Sequence, residues 1–64
     1  MSKSIAYEMY ERYYKGYSNF FDVFDARYEA KSICIMICNE NINNTTDEFS
    51  INLWNNVLKE LLNL

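Results

Sequence analysis

The stretch NFFDVFDARYEAKSICIMICNENI, residues 19–42, decides the fold. At about 100° per residue it reads as one long helix whose apolar side chains fall in two sectors. Val23, Ala26, Ala30, Ile33, Cys34 and Ile37 form the first; Phe21, Phe24, Tyr28, Ile35 and Ile42 form the second. Between them run a basic seam of Arg27 and Lys31 and an acidic seam of Asp22, Asp25, Glu29 and Glu40. A helix with one neighbour needs a single apolar stripe, so two stripes predict a central helix covered on both flanks. Within it, Ile33 to Cys38 places isoleucine at alternate positions and also reads as a buried strand. No second run of this kind exists to pair with it, and an unpaired strand leaves its ladder groups without partners, so helix is the better reading.

Upstream, Ser4 is a plausible N-cap for a first helix that runs to about Lys15. Its wheel separates cleanly. Ala6, Tyr7, Met9, Tyr10, Tyr13, Tyr14 and Tyr17 fill one arc, while Glu8, Glu11, Arg12 and Lys15 fill the other, with Glu8–Arg12 and Glu11–Lys15 as acid-first i,i+4 pairs. Gly16, the only glycine, is expected to stop this helix in a left-handed conformation, after which Ser18 or Asn19 would cap the next. The alternative is fusion of the first two helices, because Ala6, Tyr10, Tyr13, Tyr17, Phe20 and Phe24 keep a three-four spacing straight through Gly16.

Downstream, the end of this helix is blurred by the Asn-rich segment 39–44, whose composition favours turns. Thr45 with Glu48 three residues later is a capping box, and Asp47 and Glu48 complement the positive end of a third helix. That helix is expected to reach about Leu62, with Ile51, Trp54, Leu58, Leu61 and Leu62 on its apolar side, widened by Leu53 and Val57. Asn52, Asn55, Asn56, Lys59, Glu60 and Asn63 take the other side. The fold class is therefore all-α, a small three-helix bundle or a helical hairpin plus one helix around a long central helix, in one domain spanning residues 1–64.

At 64 residues a lone chain has little apolar area to bury against the entropy of ordering it. Disulfides, a metal or a second subunit are the usual remedies. The two cysteines, Cys34 and Cys38, lie one helical turn apart on one face, where disulfide geometry is hard to reach, and the chain has no histidine. They read as small buried hydrophobes, no metal or cofactor site is expected, and a homodimer is the expected staple. The Met1–Ile5 opening has no apolar signal region, and the longest apolar run, Ile33 to Cys38, is far shorter than the roughly 20 residues that span a bilayer. A cytoplasmic location, with no membrane role, follows as the expectation.

Chemistry narrows further by elimination. Without histidine there is no Ser-His or Cys-His nucleophile pair, and nothing resembles a phosphate-cradling glycine loop, so no catalytic residues are assigned. The Asp22/Asp25 and Asp25/Glu29 carboxylate pairs read as solvated charge. The tyrosine arc remains: Tyr7, Tyr10, Tyr13, Tyr14 and Tyr17 offer more aromatic area than one neighbouring helix covers, and tyrosine is favoured at interfaces. With Glu8, Glu11, Arg12 and Lys15 as rim charges, this arc is the expected partner-binding surface of a small regulator or inhibitor acting by stoichiometric binding.

The abundance of Asn, Ile, Tyr, Phe and Lys, with no proline, fits AT-rich coding, as in phages and mobile elements, and makes a larger host or defence protein the expected partner. Two alternatives stand beside this reading. A helix-turn-helix-like nucleic-acid-binding regulator is opposed by the net charge of −3 and by Lys59 being the only basic residue of the third helix. An acidic DNA mimic built on Asp22, Asp25, Glu29 and Glu40 has few charges for that task.

Overall fold

The computed structural model describes residues 4–64; the expectation drawn above from Met1–Ile5 rests partly on positions outside the described residues. Three helices follow one another: α1 (Ile5–Tyr17), α2 (Val23–Asn43) and α3 (Glu48–Leu62). The isoleucine-cysteine run is helical, and no strand occurs among the described residues. None of these helices is long and apolar enough to cross a membrane.

Each helix begins on a side chain that accepts an orphan backbone N–H. Ser4 Oγ accepts from the Tyr7 amide at 3.1 Å, as the sequence led us to expect. The other two starts differ from expectation. Asp22, not Ser18 or Asn19, caps α2, its Oδ1 accepting from the Asp25 amide at 2.8 Å. A carboxylate at the positive helix end binds more strongly than a hydroxyl or amide there, so the helix starts later and Phe20 and Phe21 are left in the turn. At α3 the cap is Asp47 rather than Thr45: Asp47 Oδ2 accepts from the Ser50 amide at 3.0 Å and from Ser50 Oγ at 2.8 Å. Thr45 instead receives the Asp47 amide on its hydroxyl at 3.2 Å, which shapes the approach to the cap. The Ser50 bonds hold the Asp47 carboxyl below its ordinary pKa.

Gly16 also departs from expectation. No described residue has positive φ, and Gly16 lies inside α1, which continues through Tyr17 to a C-cap at Ser18. The turn is closed by right-handed bonds instead: the Ser18 amide donates to the Tyr14 carbonyl at 2.9 Å, and the Phe20 and Phe21 amides both donate to the Tyr17 carbonyl at 3.0 Å. Ser18 Oγ adds a bond to the Lys15 carbonyl at 2.9 Å. These bonds satisfy the last turn of α1, so a left-handed residue has nothing left to do.

α2 packs against both α1 and α3, which meet each other less extensively, so it holds the middle position that its composition implied. The contact is made by a stripe of small residues. Ala26, Ala30, Cys34 and Cys38, spaced by four, are fully buried, and Cys34 and Cys38 cluster with Ala6 of α1 and with Val57 and Leu61 of α3. Met9, Tyr10, Tyr13, Ile33, Ile35, Trp54 and Leu58 close around this centre. Short side chains let the helix backbones approach, and the molecule is a thin slab of 38 × 28 × 16 Å. A slab has little interior, which is why the largest fully buried side chain after Leu61 is a cysteine.

The expectation that α2 is covered on both flanks is met only in part. Its small-residue face is sealed, but in the second sector Phe24 is 80% exposed and Tyr28 71%, while Ile35 is half-buried. Val23, assigned to the first sector, is also exposed, as is Leu62 on α3. Three helices arranged as a slab leave one face of the middle helix without a neighbour.

Candidate protein-binding surface

The tyrosine arc of α1 divides along its length according to which helix lies beneath it. Tyr10 and Tyr13, on the turns that face the core, pack against the buried cluster with their rings half-covered. Tyr14 stacks on Tyr10, with ring centroids 6.0 Å apart and planes 13° from parallel. Tyr7, near the start of the helix, is exposed. Tyr17, in the last turn, is half-buried and meets Phe21 across the turn, centroids 5.9 Å apart and tilted by 52°. That contact follows from the α2 cap. Phe21 directly precedes the Asp22 cap, a position whose apolar residue often packs on the fourth helical residue. Here that residue is Ala26, short and fully buried, and Phe21 lies against Tyr17 instead.

The result is an open groove of about 540 Å³ lined by Arg12, Tyr13, Gly16, Tyr17, Phe20 and Phe21. Its walls are aromatic, and Gly16 is among its lining residues; a Cβ there would meet no atom within 4 Å. Phe20 stands at the lip, 84% exposed, the most exposed of the large apolar side chains described. On the other side of Arg12, the four charges predicted as rim come together. Glu8, Glu11, Arg12 and Lys15 line a shallow polar groove of about 400 Å³ along α1. Arg12 thus borders both grooves, placing a guanidinium beside an aromatic surface, an arrangement frequent in protein interfaces.

The structure therefore brings Tyr13, Tyr17 and Arg12 into one concave site and commits Tyr10 to the helix packing. Sequence reasoning missed Phe20 as a member of this site and the uncovered state of Phe24 and Tyr28. The missed signal was Asp22. Reading it as the N-cap puts Phe20 and Phe21 outside the helix, where they cannot contribute to its apolar stripes.

The two thiols offer no chemistry to this surface. Cys34 and Cys38 are free and buried in the α2 stripe. Burial, with a lesser contribution from Cys38, pushes the Cys34 thiol up to about 11, and burial raises Cys38 as well. A thiol held neutral is a poor nucleophile and a poor metal ligand. Among the described residues no group of three or more His, Cys, Asp or Glu side chains is placed to hold a metal ion. Comparison with protein-family models, with curated proteins and with solved structures finds no match.

Proposed function

We propose that this chain is a small non-enzymatic regulator or inhibitor that binds a larger protein stoichiometrically and acts by occluding or remodelling it. The observation that carries this reading is the groove at the α1–α2 turn, aromatic-walled, lined in part by Gly16 and bordered by Arg12, with Phe20 strongly exposed beside it. Such a surface is costly to leave in water, at roughly 25 cal/mol for each Å² of apolar area, and it suits an apolar anchor from a partner. Glu8, Glu11, Arg12 and Lys15 alongside it would set the partner's orientation, because rim charges govern approach more than affinity. The compositional bias noted above favours a phage or mobile-element origin and a host or defence protein as target.

The test is affinity capture from candidate host lysates with the wild-type chain and a Tyr17→Ala/Phe20→Ser variant in parallel. A partner retained at equimolar ratio by the wild type, and at least about tenfold less by the variant with unchanged helical circular dichroism, supports the proposal. Equal retention by both chains would overturn it. So would salt-sensitive retention of nucleic acid as the only cellular material bound.

A further inference from the structure

A second surface, separate from the Tyr17 groove, lies along α2. Phe24 and Tyr28 are one helical turn apart on the same face, 80% and 71% exposed. The sealed stripe of Ala26, Ala30, Cys34 and Cys38 points roughly a third of a turn away, so the face is open at Phe24 and Tyr28, whereas further along it Ile35 packs against the core.

The borders of the face carry the information about what covers it. Taking 100° per residue, Arg27 and Lys31 run along one edge of the Phe24/Tyr28 face, and Asp25 and Glu29 run along the other. Each edge is an i,i+4 pair of like charges, an arrangement that destabilises an isolated helix. No i±3 or i±4 neighbour relieves it: Arg27 has Val23, Phe24, Ala30 and Lys31 there, and Glu29 has Asp25, Ala26, Ser32 and Ile33. One helix thus displays a basic edge, an aromatic centre and an acidic edge in that order.

We infer that the occupant of this face is a second copy of the same chain, with the two α2 helices side by side and parallel about a twofold axis along their length. Rotation about such an axis brings the basic edge of each copy against the acidic edge of the other on both sides of the aromatic seam. The antiparallel twofold arrangement does the opposite, setting Arg27 and Lys31 against themselves and Asp25 and Glu29 against themselves. Parallel pairing is therefore the self-complementary choice. An aromatic side chain carries roughly 200 Å² when fully exposed, so Phe24 and Tyr28 together offer on the order of 300 Å² per copy. Doubled, and with four charged side chains per copy added at the edges, the buried total approaches the roughly 1,200 Å² at the lower end of stable interfaces.

Sedimentation from about 1 to several hundred µM, at low and high salt, tests the inference. The wild type should pass from the 7.7 kDa monomer to a dimer and no further. Its dissociation constant should rise several-fold with salt, because opposite charges face each other. Phe24→Ser/Tyr28→Ser alters exposed positions only, and should raise the dissociation constant at least tenfold while helicity is kept. Arg27→Glu/Lys31→Glu and Asp25→Lys/Glu29→Lys should each be monomeric alone and dimeric when mixed. A wild type that stays monomeric throughout leaves the face to a different protein and overturns the inference. A dimer that tightens with salt, one indifferent to Phe24 and Tyr28, or open-ended assembly also overturns it. These variants leave Tyr17 and Gly16 intact, so loss of the dimer and loss of partner capture are read separately.

Discussion

Replacing Gly16 with alanine should stabilise the fold and impair the groove at the same time. Gly16 is helical, has no positive φ, and lies one residue before the end of α1, so alanine can adopt its backbone conformation without strain. The added Cβ would meet no atom within 4 Å, so it brings no clash. What remains is the smaller conformational entropy of the unfolded alanine chain and its better helix propensity, together about 0.5–1 kcal/mol in a helix interior. Gly16 sits in the last turn rather than the helix interior, which places the expected gain near 0.5 kcal/mol, or about 2–4 °C in the melting temperature of a domain this small. Thermal and urea unfolding by circular dichroism at one fixed protein concentration read that gain. Gly16 lines the groove together with Arg12, Tyr13, Tyr17, Phe20 and Phe21, so a methyl group added to that lining should lower partner capture as stability rises. A drop in melting temperature would refute the reasoning, because it would mean that Gly16 holds a left-handed conformation in solution.

Three further outcomes are expected. Asp22→Ala should cost about 1 kcal/mol by urea denaturation, whereas Asn19→Ala should change stability little, since the α2 cap rests on the Asp22 carboxylate. Ala30→Leu should lower stability by about 1–3 kcal/mol on the same assay, because Ala30 has no exposed surface and three helices meet near its stripe. The Cys34 thiol is raised from 9.0 to about 11, so the unfolded chain ionises first; the contribution of this thiol to stability is constant below about pH 9 and declines between there and 11. The difference between wild type and Cys34→Ala in urea midpoints across that range isolates the thiol, and a difference independent of pH would count against its burial.

Much of the architecture was legible in the residues. The separation of tyrosines from charges on α1, the end of α3 at Leu62 and the helical nature of the Ile33–Cys38 run all follow from period and pairing. The turns were less legible, because several groups could satisfy the same orphan amides. Ser18, Asn19 and Asp22 all have capping side chains, and the carboxylate, the strongest acceptor at a helix start, prevailed; Thr45 and Asp47 competed in the same way at α3. The two-sided character of α2 was visible as well, but apolarity does not say which neighbour covers it. Alanine and cysteine won the interior by being short, and the larger Phe24 and Tyr28 stayed outside. For the site, Arg12, Tyr13 and Tyr17 were within reach of sequence, whereas Phe20 required knowing where α2 begins.

The 16 Å thickness of the molecule ties its melting behaviour to its company. In a body so thin, the broad faces stand in for an interior, and whatever lies against them adds contacts that the monomer lacks. Anything that binds only the folded form raises the unfolding midpoint by mass action, so heat resistance should climb with protein concentration or with added partner. A dilution series of melting curves would then serve as a binding isotherm for a ligand whose identity need not be known in advance.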